Sequence, residues 1–168
     1  MSLDSVRAYF AAHAPDIAII DQGVSTATVT EAAQALGVVP AQIAKTLSLR
    51  IRDDVVLLVT RGDARLDNRK AKAAFGAKVK MLSAEEVEAI TGHPVGGVCP
   101  FGLASPLPIY CDVSLRDFAL VYPAAGSRTA SVRLTPERLA ELVDAQWVDL
   151  CILPGDGDGS GATSSTIA

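Results

Sequence analysis

The run Val55-Val56-Leu57-Leu58-Val59 constrains this chain more than any other segment. Five consecutive apolar residues of strand-forming type leave no polar face, so a strand here must be covered on both sides. Thr46 to Ile51 is also β-rich, and only Arg52, Asp53 and Asp54 separate the two runs. That spacing predicts a hairpin. Helices to cover it are legible in the same way. Thr28-Val29-Thr30-Glu31 matches a capping box that opens the alanine-rich run to Leu36, with Gly37 as its stop. Ser83-Ala84-Glu85-Glu86 is a second capping box, opening a helix that reaches about Thr91. Leu66 to Phe75 reads as a helix ended by Gly76, and Thr135-Pro136-Glu137 starts the last helix with Thr at the N-cap and Pro at the first position. Leu3, Val6 and Phe10 fall on one face of an opening helix over Ser2 to Phe10, and Pro40 to Ala44 adds a single turn.

Further strands are expected at Lys78 to Leu82, Ile109 to Asp112, Phe118 to Tyr122, Ala130 to Leu134 and Trp147 to Ile152. Some neighbouring strands are separated by helices and others are not. This order predicts an α+β or mixed α/β domain rather than a regular parallel doubly wound sheet. A chain of 168 residues suits one domain. We place it at 1–153 and expect the Gly, Asp, Ser and Thr tail at 154–168 to be disordered.

The balance of 15 basic against 19 acidic residues excludes a polybasic wrapper that binds nucleic acid by bulk charge. No run of about 18 apolar residues exists to span a membrane. Met1-Ser2-Leu3-Asp4 lacks the charged and apolar regions of a secretory signal, so the expected setting is the cytoplasm. Cys99, Cys111 and Cys151 are widely spaced and fit neither a disulfide framework nor a zinc site. His13 and His93 have no acidic cluster beside them, so neither a metal nor another cofactor is expected.

Four groups of residues are candidates for chemistry. Gly92 to Gly102 holds two adjacent glycines, Gly96 and Gly97, between Pro94 and Pro100. Such a bend is either a plain structural loop or a set of backbone N–H donors for a carbonyl oxygen or carboxylate. Lys45 stands in the apolar setting Ile43-Ala44-Lys45-Thr46-Leu47. Its head either reaches water or meets a phosphate or carboxylate. Arg61, Arg65, Arg69, Lys70, Lys72, Lys78 and Lys80 form a basic segment opposed only by Asp63 and Asp67. It reads as a solvated face or as a phosphate-backbone footprint. Cys99 and His93 are six residues apart; a nucleophilic pair is one reading and a small packing residue in a loop is the other.

Taken in order, these pieces resemble the YbaK/prolyl-tRNA synthetase editing-domain family, in particular its free-standing aminoacyl-tRNA deacylases. The residues that carry the resemblance run from about Ser25 to Leu150. They are Ser25-Thr26-Ala27-Thr28, Leu36-Gly37-Val38, Ile43 to Leu47 around Lys45, Arg61 to Asp67, Thr91 to Gly102, and Tyr110-Cys111-Asp112. The resemblance implies a mixed, mostly antiparallel sheet curled into a barrel-like core with helices outside. It implies that Lys45 binds the tRNA 3′ end or orients the ester, and that Gly96, Gly97 and Val98 offer backbone donors to the aminoacyl carbonyl. Ser25, Thr26, Cys99, Pro100, Phe101, Ser127 and Ser131 are then candidates to line the substrate pocket, and Arg61, Arg65, Arg69, Lys70 and Lys72 to meet tRNA. Cys99 stands where many relatives carry serine, and Ser131 aligns with an aspartate of the cysteinyl-tRNA deacylase branch. The implied activity is hydrolysis of a mischarged small amino acid, of the Ala/Ser/Thr/Cys class, from a tRNA such as tRNA(Pro). The implied partners are the tRNA acceptor end and an aminoacyl-tRNA synthetase. The alternatives are a tRNA-end or nucleotide-binding module without turnover, and a cysteine hydrolase built on Cys99 and His93.

Overall fold

The computed structural model describes residues 2–155. The tail expected at 154–168 lies almost wholly outside them. At the centre is the expected hairpin: β2 (Ile43–Ile51) pairs antiparallel, from Ala44 onward, with the whole of β3 (Asp54–Arg61). Arg52 takes a positive φ of 55° to close the turn. Leu57, Leu58 and Val59 are fully buried, and the two faces of their strand enter different cores. Leu57 and Val59 pack with Val6, Phe10, Phe101 and Leu139. Val56 and Leu58 pack with Leu47, Leu49, Ala71 and Leu150. Each such buried side chain stabilises the fold by about 1.5–3 kcal/mol.

The helices sit where their caps predict. They are α1 (Ser2–His13), α2 (Val29–Leu36), α3 (Asn68–Phe75), α4 (Ala84–Thr91) and α5 (Pro136–Leu142). Thr28 accepts from the Glu31 N–H at 3.1 Å, Ser83 from the Glu86 N–H at 3.3 Å and Thr135 from the Arg138 N–H at 3.2 Å. Gly37, Gly76 and Gly92 end their helices in the left-handed region, as the sequence requires.

Short strands complete the sheets: β1 (Ile20–Asp21), β4 (Arg65–Leu66), β5 (Val79–Met81), β6 (Ile109–Asp112), β7 (Tyr122–Pro123), β8 (Ala130–Ser131), β9 (Gln146–Val148) and β10 (Cys151–Ile152). The main sheet runs β5-β2-β3-β6-β9, with β7 beside the start of β2. It is mixed: β5 joins antiparallel, while β6, β7 and β9 join parallel. Two further ladders, β1-β8 and β10-β4, are antiparallel. The α+β class agrees with the expectation, but the barrel-like closure does not. The sheet is open, because its outer strands β5 and β9 are three residues long and do not pair with each other. Lys80 and Met81 are exposed on the β5 edge, and short charged edges resist further pairing.

Three local expectations also change. Arg65 and Leu66 form a strand against β10, so α3 starts later, behind its Asp67 cap. Instead of a strand over Phe118 to Tyr122, the chain makes a 3-10 turn at Val113–Asp117 and only two strand residues, Tyr122–Pro123. The expected strand over Trp147 to Ile152 is cut in two at Leu150. Its N–H donates to the Asp112 carboxylate at 2.7 Å and its carbonyl accepts from Asp67 at 2.8 Å, so neither sheet can hold it.

Helix α1 is fastened to the long loop before β6 through His93. The ring's Nε2 donates to the Phe101 carbonyl at 2.7 Å, and Nδ1 lies 2.5 Å from the Ser2 hydroxyl. The same hydroxyl lies 2.5 Å from the Gly126 carbonyl, so its one proton is shared between that oxygen and Nδ1. Burial holds the His93 pKa below its ordinary value, so the folded state keeps the ring neutral. The unfolded chain takes up a proton below about pH 6.5 that the folded chain refuses, so stability falls as pH drops through that value. We expect the melting temperature of the wild type to fall more steeply between about pH 7 and about pH 5 than that of His93→Gln. Equal slopes in a pair of thermal melts would count against a neutral clip.

Candidate functional site

Three segments that are distant in sequence converge on Gly96 and Gly97. Gly96 has φ +95°, and a Cβ there would lie 2.9 Å from the Ala27 Cβ and 3.2 Å from the Arg128 Cγ. Gly97 needs no special φ, but a Cβ there would lie 2.7–2.9 Å from the backbone N, C and Cα of Ser127. Glycine is therefore demanded by close approach at both positions and by conformation at Gly96. Hydrogen bonds lock the three segments together. The Gly126 N–H donates to the Gly97 carbonyl at 3.0 Å, and the Thr26 N–H donates to the Arg128 carbonyl at 2.6 Å. The Thr26 hydroxyl donates to the same carbonyl at 3.1 Å. Arg128 returns across the bend, its Nε donating to the Val95 carbonyl at 2.9 Å.

The donors of the bend are not equivalent. The Gly97 N–H closes a turn onto the Pro94 carbonyl at 2.9 Å. Among the described residues neither the Gly96 nor the Val98 N–H donates to an acceptor of the chain, and Val98 has no exposure, which leaves the Gly96 N–H as the candidate for an incoming oxygen.

The remaining residues divide by burial. Ser25 is exposed and its hydroxyl accepts from the Ala27 N–H. Thr26 is buried, and the half-buried Ser127 accepts from the Thr129 N–H at 3.3 Å. Ser131 is buried in the β1-β8 ladder opposite Ile20. Val98, Cys99 and Phe101 have no exposure at all, and Pro100 is buried between them. Phe101 packs against Phe10 of α1 with tilted rings 4.7 Å apart at their centroids, so it and Cys99 belong to the core beneath the bend.

Cys99 and His93 do meet, with Sγ 3.6 Å from Nε2. Burial nevertheless pushes the Cys99 thiol up to about 12, so it is a thiol at neutral pH, and Nε2 is committed to Phe101. We expect Cys99→Ser to keep the protein's activity within about threefold and native Cys99 to resist a disulfide reagent at neutral pH. Fast labelling together with lost activity would restore the cysteine-hydrolase reading.

Lys45 lies on β2 opposite Thr60 and is 7% exposed. Its Nζ donates to the Ala64 carbonyl at 2.5 Å. Burial lowers its pKa, opposed by its interactions with Cys151 and Asp63. The turn that carries Ala64 is pressed onto the start of β2: a Cβ on Gly62 would lie 2.2 Å from the Pro40 carbonyl oxygen. The neighbouring Ala44 pairs with Pro123 of β7, and that strand leads within three residues to Gly126. Lys45 and the glycine bend are thus joined through the β2-β7 pairing.

The basic segment does not form one face. Arg61 is held by Asp63 at 2.6 Å and by Asp117 at 2.8 Å, and both raise its pKa. Lys70 pairs with Asp149 at 3.0 Å. Arg65, Arg69 and Lys72 are exposed, and the first two line a groove of about 820 Å³ with Leu66, Met81 and Ile152. Sequence reasoning passed over Arg128 and Gly126, whose only signal was the turn composition around Ser127. The buried Asp112 carboxylate binds the N–H groups of Ser114 and Leu150, a role with no local signal in the sequence. Among the described residues, no three of His, Cys, Asp or Glu cluster as metal ligands. No described helix is long and apolar enough to cross a membrane.

The family model of the aminoacyl-tRNA editing domain matches residues 24–142, which span every segment of this site. The chain belongs to the aminoacyl-tRNA editing domain family. It is 46% identical to the "Uncharacterized protein YwhH" of Bacillus subtilis, over 90% of this chain and 98% of that protein. It is 32% identical to the "Putative Cys-tRNA(Pro)/Cys-tRNA(Cys) deacylase EbsC" of Enterococcus faecalis, over 70% of this chain and 73% of that one. A "Proline--tRNA ligase" of Bacillus licheniformis is 35% identical over 61% of this chain and 18% of the ligase. A crystal structure described as that of "a putative trans-editing enzyme for prolyl tRNA synthetase" superposes with TM-score 0.84 at 34% identity, covering 90% of this chain and 97% of that one.

Proposed function

We propose that this editing domain is an aminoacyl-tRNA deacylase that acts in trans on a mischarged small amino acid of the Ala/Ser/Thr/Cys class, on tRNA(Pro) or a similar tRNA. The observation that carries the reading is the glycine bend. Its Gly96 N–H lies in a turn whose close contacts leave no room for side chains, and among the described residues it donates to no acceptor of the chain, so it is available to a developing oxyanion. Water adds to the ester carbonyl carbon, the bond to the ribose oxygen breaks, and the proton from water passes to that oxygen. The products are the free amino acid and a tRNA with its terminal hydroxyl restored. An aminoacyl ester is already activated, so positioning and electrostatic stabilisation supply the catalysis without a protein nucleophile.

In this reading Lys45 orients the ester and ribose from one side, Ser25 and Ser127 line the approach to the bend, and the buried Thr26 holds the Arg128 segment against it. Arg65, Arg69 and Lys72 meet the acceptor stem, and the setting is the cytoplasm. The relatives named for deacylation and trans-editing support it, as does the match over nearly the whole length of YwhH.

The test is hydrolysis of Ala-, Ser-, Thr-, Cys- and Pro-tRNA(Pro), with the same amino acids on their cognate tRNAs. We expect rapid hydrolysis of one or two mischarged species. No hydrolysis of any species with tRNA still bound would favour a binding module. Charge reversal of Arg69 and Lys72 should weaken tRNA binding and flatten its salt dependence. An unchanged salt slope would remove that face from the interface.

A further inference from the structure

We infer that Arg128 is a substrate-binding residue of this site, its guanidinium taking the phosphate of the tRNA's terminal nucleotide while the bend beneath it holds the acyl group. The inference rests on the deacylase reading and extends it to the nucleotide end of the substrate.

Lys45 is the cation expected to meet phosphate, but it is buried and donates to the Ala64 carbonyl. A phosphate carries a large hydration shell and needs a cation it can reach from solvent. Arg128 meets that condition. It is exposed, and its stem lies across Gly96, with Cγ 3.2 Å from where a Cβ would be. Only one edge of the guanidinium is committed, through Nε to the Val95 carbonyl at 2.9 Å. Among the described residues no carboxylate forms a salt bridge with it, whereas Arg61 has two such partners and Arg116 and Arg138 have one each.

The backbone around Arg128 is fixed independently of its side chain. Its carbonyl accepts both the N–H and the hydroxyl of Thr26. The position is therefore rigid at Cα while the outer nitrogens stay available. A planar fork held in place along one edge suits a phosphate better than a mobile lysine does. In an aminoacyl adenosine the 5′ phosphate lies one ribose away from the ester, so a nucleotide whose acyl group meets the bend offers an anion to a cation beside it.

The test compares 2′(3′)-O-alanyl, seryl, threonyl and cysteinyl adenosine with and without a 5′-phosphate, in wild type, Arg128→Met and Arg128→Lys. Met keeps an apolar stem over Gly96 and removes the charge. The readout is the ratio of kcat/KM for the phosphorylated over the unphosphorylated ester, which a general packing defect leaves unchanged. We expect a ratio of about ten in wild type, carried mainly by KM, close to one in Arg128→Met and intermediate in Arg128→Lys. A ratio that survives in Arg128→Met, or is absent from wild type, overturns the inference. If wild type hydrolyses none of the esters, the deacylase reading fails, and AMP and adenosine are titrated calorimetrically instead. A preference for AMP that disappears in Arg128→Met then upholds the phosphate contact, and equal binding overturns it.

Discussion

Replacing Lys45 by Met is expected to lower kcat/KM for the preferred mischarged tRNA by at least about 100-fold while leaving the fold intact. Removing one preorganised donor from an oxyanion-type site typically costs about 10²–10³ in rate. The proposed function gives Lys45 such a role; it is 7% exposed and fixed on the Ala64 carbonyl, so its charge acts in a poorly screened setting. The opposing effects on stability are comparable in size. The Met side chain removes a buried ammonium, and it leaves the Ala64 carbonyl without that donor at about 1–3 kcal/mol. We therefore expect a melting temperature within a few degrees of wild type, so that lost activity is not lost structure. The pH profile gives a second readout. Burial lowers the Lys45 pKa, so its protonated fraction declines as pH rises through a value below that of an exposed lysine. The Lys45-dependent rate should fall on the alkaline side, after subtraction of spontaneous ester hydrolysis, and the residual rate of Lys45→Met should lack that limb. A variant with wild-type kcat/KM would remove Lys45 from the mechanism.

Gly97→Ala should be as severe, for a different reason. Its methyl would lie 2.7–2.9 Å from three backbone atoms of Ser127, which cannot swing aside as a side chain can. The 126–128 segment or the bend must move, and a displacement of about 1 Å at a catalytic site can cost about 100-fold. Overpacking of this kind costs about 1–3 kcal/mol of stability as well. Gly37→Ala is the control. Gly37 caps α2 at φ +71°, and a Cβ there would meet nothing within 4 Å, so alanine strains the backbone at a distance from the bend. Comparable destabilisation in the two variants, with deacylation lost only in Gly97→Ala, would separate geometry from stability. Equal activity in both would show that the Gly97–Ser127 contact does not matter to the reaction.

Much of the fold was legible because its determinants are local. A capping hydroxyl and the N–H it accepts from are three residues apart, and Thr28, Ser83 and Thr135 act as their spacing predicts. The apolar run Val55 to Val59 announced a strand with two covered faces, and both cores are built on it. The errors arose where a long-range hydrogen bond overrides local preference. Asp112 takes the Leu150 N–H and splits one expected strand, and β10 captures Arg65 and Leu66 from the start of a helix.

The site divides along the same line. The sequence alone determined the chemical types at the bend and at Lys45, because glycine pairs and a lysine amid apolar neighbours are unusual enough to notice without coordinates. Only the tertiary structure decided how each of them is used. It put the Gly97 N–H on Pro94, drew Lys45 inward onto Ala64, sank Cys99 and Phe101 into the core, and laid Arg128 across Gly96. Each of these outcomes depends on packing or on which donor finds which acceptor, and at the bend the partners come from segments up to about a hundred residues apart, such as Thr26 and Arg128. Residue type limits what a group can do, whereas burial and committed hydrogen bonds determine what it remains free to do.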